Sequence, residues 1–244
     1  MKLISLNLWC GIKYEALLAF LNLRAPEIDI FCFQEVRNGQ YDKPEESADE
    51  RANLFDDLKL ILMDFNGYFT EMATGVGIAS FVRKNIEIKE FKAMQILSGQ
   101  ETSHLKMANG DSYYPRVAHS IILKDKNLII HNFHGIPGEH KKDTPERELQ
   151  TDRLLEMTSG NNPQIIVGDF NLDLHTQAIE RLGDKMQNLI KIFEVKTTRN
   201  ANYRPFESIP FADYAFLSPD IKINGFKALP DEVSDHLALF IDFE

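Results

Sequence analysis

Six short polar clusters, each at the end of an apolar run, constrain the fold of this chain more than any other feature. Short apolar runs bounded by polar residues are typical of buried β-strands. Polar residues at the ends of such strands are expected to meet at one edge of a sheet, even when they are far apart in sequence. In chain order the clusters are SLNLW, FCFQEV, HNFHG, VGDFNLD, FADYAFLS and SDHLALF.

Length and composition predict one domain that spans residues 1–244, because no Gly-, Ser- or Pro-rich linker divides the chain. Hydrophobic residues make up 43% of the chain and charged residues 26%, which favours a packed core over disorder. Cys10 and Cys32 lie in apolar surroundings and predict buried thiols. Neither a disulfide framework nor a zinc site is expected.

The sequence contains no segment that predicts a membrane span, and polar residues interrupt the apolar N-terminus before a signal-peptide core can form. A cytoplasmic location is therefore expected, and no obligate protein partner is evident. The net charge of −10 argues against an extended basic track for duplex nucleic acid. A short contact with nucleic acid remains compatible with this charge, although a small or end-bound phosphate ester is favoured.

The hydrophobic pattern predicts an α/β (α+β) fold in which two packed sheets have helices outside them. The chain opens with alternating elements: a strand at 2–8, a helix at 13–24, a strand at 28–33, a polar loop at 37–48 and a helix at 49–64. Antiparallel strands are expected around 67–72, 76–83, 86–96, 113–123 and 127–133. A helix is expected to begin at Thr144 and Pro145, before the strand QIIVGD. The last part predicts a helix at 175–191 and strands near 192–197, 212–217, 221–228 and 237–243.

The GDFN cluster follows the buried run IIV, so its carboxylate would be stranded at the edge of an apolar core without a cationic partner. In an extended segment Asp169 and Asn171 point the same way, whereas Phe170 turns inward to the packing. Such a pair suits activation of a water molecule by the carboxylate and its orientation by the amide. The same pattern is also typical of a strand-end turn held by Asp and Asn side chains.

Glu35 presents a similar problem, because it ends the apolar run IFCFQ and needs solvent, a cation or a basic partner. Mg²⁺ prefers oxygen ligands and commonly takes only one or two carboxylates from the protein. Glu35 with the nearby amide of Asn7 is therefore a candidate Mg²⁺ site, at which Mn²⁺ is a possible substitute. A solvated acid at a strand end is the alternative.

Histidines accompany two of the clusters, HNFHG and SDHLALF. Asp235 and His236 precede LALFI, and a buried carboxylate such as Asp213 would orient the imidazole and favour its charged form. His236 could then stabilise a negative phosphoryl group. Beyond the run LII, His134 is better placed than His131 to donate a proton to a leaving oxygen. All of these residues are also ordinary turn or hydrogen-bonded structural residues, and a serine-hydrolase triad is disfavoured because no Gly-x-Ser-x-Gly elbow is present.

Taken together, the clusters resemble the endonuclease/exonuclease/phosphatase superfamily of deoxyribonuclease I-like proteins, from Asn7 to His236. GDFN and SDH are the most specific parts of the resemblance. It implies a four-layer α/β/β/α sandwich of two mixed sheets flanked by helices, and a Mg²⁺-dependent phosphoesterase. At matching positions the resemblance implies that Glu35 binds the metal with Asn7, and that Asp235 belongs to the metal or catalytic network. It implies that Asp169 activates the attacking water and that Asn171 positions it. It also implies that Asp213 pairs with His236, which contacts the phosphoryl oxygens. His134 matches the histidine of the deoxyribonuclease and sphingomyelinase-like branches.

Two departures from the apurinic endonuclease pattern make DNA repair less favoured: Trp9 stands in place of an acid, and His134 replaces a tyrosine-containing segment. Arg116 and Arg199 are candidate phosphate contacts, although both are also typical of exposed loop arginines. The polar segment GEHKKDTPER is either a substrate-contacting loop, through Lys141, Lys142 and Arg147, or a solvated one.

The leading hypothesis is hydrolysis of a phosphodiester, as in a nuclease, by direct attack of water without a covalent intermediate. A phosphomonoesterase, or a lipid or small-molecule phosphodiesterase of the same fold, is the first alternative. The opposing class is a catalytically silent binding module that keeps the fold. Dependence of hydrolysis on Mg²⁺ and on Asp169 separates these classes.

Overall fold

A computed structural model describes residues 1–39, 49–105, 113–138, 141–203 and 209–244. Within these ranges, two mixed β-sheets of six strands each are flanked by helices, which confirms the predicted α/β sandwich. The strands are β1 Lys2–Asn7, β2 Ile30–Arg37, β3 Phe65–Ala73, β4 Val76–Arg83, β5 Ile88–Leu97, β6 Arg116–Leu123, β7 Ile129–His134, β8 Gln164–Asp169, β9 Gln187–Asn188, β10 Asp213–Leu217, β11 Ile223–Ala228 and β12 Leu239–Phe243. The helices are α1 Tyr14–Arg24, α2 Leu54–Ile61, α3 Gly99–Thr102, α4 Pro145–Met157, α5 Gln177–Gly183 and α6 Leu189–Ile192. None of these helices is long and apolar enough to cross a lipid bilayer.

The two sheets are built alike. The first has the order β11-β12-β1-β2-β4-β3, and the second has the order β5-β6-β7-β8-β10-β9. In each sheet the two central strands are parallel, β1 with β2 and β7 with β8, while the outer pairings are antiparallel. The carboxyl ends of the parallel strands therefore lie at the same edge as the amino ends of their antiparallel neighbours.

Both faces of the central strands are buried, which is why their sequences are continuous apolar runs rather than alternating ones. In β2, Ile30 and Cys32 join the core that includes the space between the sheets, whereas Phe31 and Phe33 join a second core with α1 and α2. Successive strand residues point to opposite faces, so one run supplies both cores. Phe31 and Phe33 stack at 5.4 Å between ring centroids.

Buried polar side chains cross the space between the sheets. Gln34 Nε2 donates to Asn132 Oδ1 at 2.7 Å, and Asn132 Nδ2 donates to the carbonyl oxygens of Phe33 and Ala79. Each of these bonds joins a strand of the first sheet to β7 of the second. Buried polar groups are costly unless they are paired, so this network favours one alignment of the two sheets.

His119 belongs to the same polar layer. Its Nδ1 lies 3.1 Å from Thr70 Oγ1 and its Nε2 lies 2.7 Å from Ser80 Oγ. Burial, reinforced by the nearby His131, lowers the pKa of His119 to about 3. The imidazole is therefore neutral at physiological pH, with both ring nitrogens bonded to hydroxyl groups.

The C-terminal part differs from the sequence prediction in two places. The predicted helix at 175–191 is divided into α5 and α6, with the short strand β9 between them. Thr176 Oγ1 accepts a hydrogen bond from the Ile179 N–H, and Asn188 Oδ1 accepts one from the Lys191 N–H, so each helix has its own N-terminal cap. The strand predicted near 192–197 is wrong, because α6 ends at Ile192 and no strand follows it in that segment.

The helix expected after Thr144 is present as α4, and Thr144 Oγ1 accepts a hydrogen bond from the Arg147 N–H at 3.4 Å. Proline at its first position is compatible with this cap, since the missing N–H would be unpaired there in any helix. Most of the polar loop predicted at 37–48 lies outside the described residues, which resume at residue 49.

Candidate active site

Strand register brings the predicted site residues to one edge of the sandwich. His134 and Asp169 are partners at the ends of the parallel strands β7 and β8, and Asp213 at the start of β10 pairs with Asp169. In the other sheet Asn7 ends β1 and pairs with Gln34, next to Glu35. The ten predicted residues converge here, and eight of them line a cleft of about 330 Å³: Glu35, Arg116, His134, Asp169, Asn171, Arg199, Asp235 and His236. Asn7 and Asp213 lie behind this lining, hydrogen-bonded to it.

A β-bulge places Glu35. The register between β2 and β4 shifts between Phe33 and Val36, and Glu35 has a positive φ of 52°. A bulge re-aims a side chain out of the strand alternation, and left-handed backbone at a non-glycine residue stores strain that is common at functional sites. The Glu35 side chain is 30% exposed, at the lining of the cleft.

The surroundings of Glu35 favour a cation beside it. Burial raises the pKa of Glu35; the Asn7 hydrogen bond opposes this shift, and the nearby carboxylates of Asp235 and Asp169 add to it. A carboxyl group whose charged form is disfavoured in this way gains most from a divalent cation.

Asp169 and Asn171 are held together by a turn rather than by strand alternation. The strand β8 ends at Asp169, and Asn171 has a φ of 55°, so the extended geometry expected from the sequence does not apply. Instead the Asn171 N–H donates to Asp169 Oδ1 at 2.8 Å. Asparagine tolerates left-handed backbone better than most residues, which accounts for its place here. Phe170 is buried, as expected, against Phe133 and Tyr214.

Gly168 allows the two central strands to approach. It has a φ of 144°, and a Cβ built on it would lie 1.9 Å from the carbonyl oxygen of Phe133. No side chain fits this gap, so glycine is required for β7 and β8 to bring His134 beside Asp169.

Asp169 is the most constrained carboxylate of the site. Its Oδ2 accepts a hydrogen bond from Asn7 Nδ2 at 3.1 Å and lies 3.7 Å from His236 Nε2 and 3.8 Å from His134 Nε2. Burial opposes its charged form, but His236, His134 and Lys141 together hold the pKa of Asp169 well below its usual range. Asp169 is therefore ionised at neutral pH, and it suits the orientation of a water molecule better than strong proton abstraction.

His236 is paired with a buried carboxylate, as expected. Its Nδ1 donates to Asp213, at 2.8 Å from Oδ2 and 2.9 Å from Oδ1. Burial disfavours the imidazolium, but the charge and the hydrogen bond of Asp213 outweigh burial, and the pKa of His236 is raised. Since Nδ1 is held by Asp213, Nε2 is directed towards Asp169 and the cleft.

His134 has a different environment, although it lies in the same cleft. Burial lowers its pKa to about 3; Asp169 opposes this shift, and Arg116 adds to it. Its Nδ1 is buried without a hydrogen-bond partner among the described residues. His131, by contrast, is bonded to Ser120 Oγ at 2.7 Å and to Gln164 Oε1 at 2.9 Å, away from the cleft.

The donor set fits a hard divalent ion at Glu35. Oxygen atoms of Glu35 and Asp169 and a ring nitrogen of His134 all lie within 4.8 Å of one another. Carboxylate oxygens suit Mg²⁺, and imidazole does not. The Asn7 amide donates through Nδ2 to Glu35 and Asp169, while its Oδ1 accepts from the Trp9 N–H at 3.0 Å. In this orientation the Nδ2 of Asn7, rather than its Oδ1, faces the two carboxylates and aligns them.

The two predicted arginines are both buried, unlike exposed loop arginines. Arg199 pairs with Asp235 at 3.2 Å, and its guanidinium lies 3.7 Å from the Tyr203 ring centroid. Arg116 begins β6, and among the described residues its one hydrogen-bond acceptor is Met72 Sδ, at 3.3 Å. No carboxylate lies within 4.0 Å of its guanidinium in the described part of the chain. Burial lowers the pKa of Arg116 to about 10, so it remains charged.

The three basic residues of the polar segment after His134 have different surroundings. Lys141 lines the cleft, Lys142 is exposed, and Arg147 is buried and donates to the backbone carbonyls of Ile136 and Lys142. Of these three residues only Lys141 lines the cleft, and Arg147 anchors the described part of the segment through the two carbonyls.

Several residues of the cleft were not predicted from the sequence. All of them are aromatic or apolar residues that line it: Trp9, Met72, Val76, Tyr114, Pro137 and Tyr203. Isolated aromatic residues in loops carry no periodic signal, so the sequence pattern could not place them. For Trp9 the sequence offered one signal, because Trp9 follows the predicted site residue Asn7 by two positions.

Comparison with known proteins agrees with this architecture. The model of the endonuclease/exonuclease/phosphatase family matches residues 4–236. A Bacteroides thetaiotaomicron mannosyl-6-phosphatase superposes with a TM-score of 0.71 at 16% identity, covering 100% of this chain and 99% of that one. The human nocturnin catalytic domain with bound sulfate has a TM-score of 0.67 at 17% identity, covering 100% and 93%. An endonuclease/exonuclease/phosphatase from Bacteroides vulgatus has a TM-score of 0.70 at 18% identity, covering 100% and 98%.

At these identities the solved structures establish the fold alone, and no curated protein sequence matches the chain significantly. The family model, however, covers nearly the whole length and includes the clusters from SLNLW to SDH. The chain therefore belongs to the endonuclease/exonuclease/phosphatase family.

Proposed function

We propose that this protein is a Mg²⁺-dependent hydrolase of phosphate esters that uses direct attack of water. The observation that carries the proposal is the convergence of Glu35, Asp169 and the Asp213–His236 pair on one cleft from distant parts of the chain. Family members act on phosphate esters, and the relatives include a protein named as a mannosyl-6-phosphatase.

Each side chain has a role that follows from its contacts. Asp169 accepts a hydrogen bond from the attacking water and orients it towards phosphorus, because its own position is held by Asn7 and the Asn171 N–H. His236, kept in its charged form by Asp213, donates from Nε2 to a non-bridging phosphoryl oxygen. Glu35 would hold Mg²⁺, which would supply neutralisation of the charge on the phosphoryl group.

In this proposal His134 stabilises the leaving oxygen. Its Nε2 lies on the Glu35 and Asp169 side of the ring, 3.8 Å from each carboxylate. With a low pKa it acts as a neutral hydrogen-bond donor before substrate binds, and the charge of a phosphoryl group raises its proton affinity. Such placed donors act mainly through positioning and electrostatic stabilisation.

A binding module without activity is disfavoured by the completeness of this arrangement. A protein that keeps such a fold without turnover usually lacks at least one metal or catalytic residue. Here Glu35, Asp169, Asp213 and His236 are all present in one arrangement. The compact cleft and the net charge of −10 favour a small ester, or the end of a nucleic acid strand, over long duplex DNA.

Hydrolysis of p-nitrophenyl phosphate and bis(p-nitrophenyl) phosphate tests the proposal. We expect turnover of at least one ester with Mg²⁺ or Mn²⁺, its loss with EDTA, and its loss in Asp169→Ala but not in the exposed control Asp125→Ala. A direct attack of water inverts configuration at a chiral phosphorus, whereas a covalent intermediate retains it. Turnover without metal, or full activity in Asp169→Ala, contradicts the proposal, and tight phosphate binding without turnover favours the binding module.

A further inference from the structure

Lys141 is a buried lysine that lies in the cleft. Only 4% of it is exposed, and it lines the cleft with Asp169, His236 and Arg116. Its backbone has a positive φ of 49°, and its carbonyl oxygen accepts a hydrogen bond from the Asp173 N–H at 2.8 Å. Left-handed backbone in a lysine is unfavourable and persists only when the surroundings hold it, so the position of this side chain is enforced.

The ammonium of Lys141 has little to compensate its burial. Its Nζ donates to Asn171 Oδ1, and this neutral amide oxygen is the one acceptor that the described residues provide. An ammonium has three N–H donors, so two remain for a ligand. Burial lowers the pKa of Lys141 to about 8, opposed by the charge of Asp169, so the group is still mostly protonated at neutral pH.

The basic residues of the cleft are of two kinds, those with a carboxylate partner and those without one. Arg199 is matched by Asp235 and His236 by Asp213, and both carboxylates are within hydrogen-bond distance. Lys141 and Arg116 have no carboxylate within 4.0 Å in the described ranges. An unpaired buried charge costs several kcal/mol, so two of them in one cleft indicate an anionic ligand.

The charges of the cleft also indicate how negative that ligand is. Arg199 and His236 each face a carboxylate of their own, and one divalent ion would balance the carboxylates of Glu35 and Asp169. Lys141 and Arg116 are then left with two positive charges. A phosphomonoester carries two negative charges in its dianionic form, whereas a phosphodiester carries one.

We propose that Lys141, together with Arg116, binds the non-bridging oxygens of the substrate and makes this site selective for phosphomonoester dianions over phosphodiesters. This inference rests on the proposed hydrolysis of phosphate esters and names the ester class. It reverses the order expected from the sequence, in which a phosphodiester came first. Through its hydrogen bond to Asn171, Lys141 also links the bound phosphoryl group to the turn that holds Asp169.

Lys141→Met tests the inference, with Lys142→Met as the matched control, because Lys142 is the adjacent lysine and is exposed. A hydrogen bond to a charged group corresponds to roughly a 10- to 100-fold change in rate or affinity. We expect Lys141→Met to lower kcat/KM for p-nitrophenyl phosphate by about that factor, and for bis(p-nitrophenyl) phosphate by less than about threefold. Lys142→Met should leave both values unchanged.

Calorimetric titration with inorganic phosphate in the presence of Mg²⁺ gives a second readout that needs no turnover. We expect Lys141→Met to weaken phosphate binding about tenfold or more, and Lys142→Met to leave it unchanged. If the wild type hydrolyses neither ester, the proposed function fails, while the phosphate titration still decides the role of Lys141.

Lys141→Gln separates charge from structure, because glutamine retains a donor to Asn171 but removes the positive charge. It should lose the monoester preference as Lys141→Met does, and it serves if the methionine variant does not fold, as judged by circular dichroism. The inference is overturned if Lys141→Met loses the same factor in kcat/KM on both esters, or if Lys141→Met and Lys142→Met have equal effects. It is also overturned if Lys141→Met binds phosphate as tightly as the wild type does.

Discussion

His119 makes the stability of this protein sensitive to acid. It is fully buried between the sheets, and its pKa is lowered from its ordinary value of 6.5 to about 3. In the unfolded chain the imidazole takes up a proton below pH 6.5, whereas in the folded protein it does so only near pH 3. The unfolded state therefore binds more protons across this range, and the folded state loses stability as the pH falls from 6.5 towards 3.

The magnitude follows from the two pKa values. At pH 4.5 the unfolded imidazole is two pH units below its pKa of 6.5, whereas the folded imidazole is still neutral. Protonation of His119 between pH 7.5 and pH 4.5 therefore stabilises the unfolded state by about 2.5 kcal/mol. Replacing the histidine by a residue that does not titrate should remove this contribution. We therefore expect His119→Gln to lose about 2.5 kcal/mol less free energy of unfolding over this pH range than the wild type does.

Urea unfolding at the two pH values, followed by circular dichroism, measures this difference. The comparison uses the change with pH within each variant, so any constant loss from replacing the hydrogen bonds to Thr70 and Ser80 cancels. His175→Gln is the control, because this histidine is exposed and should follow the wild type. If His119→Gln and the wild type lose the same free energy between pH 7.5 and 4.5, the argument that the polar layer excludes a charge is refuted.

Three further predictions concern the site. Asp213→Asn should lower kcat/KM by about 100-fold and shift the loss of activity to lower pH, because it removes the charge that raises the pKa of His236; a pH–rate profile measures both. Mg²⁺ should raise the melting temperature of the wild type but not of Glu35→Gln, since a ligand that binds only the folded state stabilises it; equal shifts in calorimetry would contradict the metal assignment. Gly168→Ala should destabilise the protein by about 3 kcal/mol or more in urea unfolding, since its Cβ would meet the Phe133 carbonyl at 1.9 Å; wild-type stability would refute this.

Much of the fold could be predicted because its signals are local. Continuous apolar runs such as IFCF and IIVG identify strands that are buried on both faces, and the two-residue period then explains how Ile30 and Phe31 reach different cores. The N-terminal cap of α4 was equally visible at Thr144 and Pro145. The division between α5 and α6 was missed, because the cap at Asn188 competes with a helical pattern that continues through it.

The candidate site was predictable in its members but not in its arrangement. Each cluster identifies a polar residue at a strand end, which is a property of a few neighbouring residues. The turn at Asn171 and the bulge at Glu35 both replace strand alternation with left-handed backbone, and only strand pairing decides such positions. The sequence also did not indicate which carboxylate pairs with which buried arginine, such as Asp235 with Arg199.

By itself, the sequence determined most of the segments that become strands and which acids, amides and histidines lie at their ends, because hydrophobic periodicity acts over a few residues. Tertiary structure decided that Arg199 meets Asp235 while Arg116 meets no carboxylate in the described chain, and that Lys141 enters the cleft while Lys142 remains exposed. These outcomes depend on sheet register and on contacts between residues far apart in the chain. Charge compensation is a property of three-dimensional distance, and no pattern of neighbouring residues encodes it.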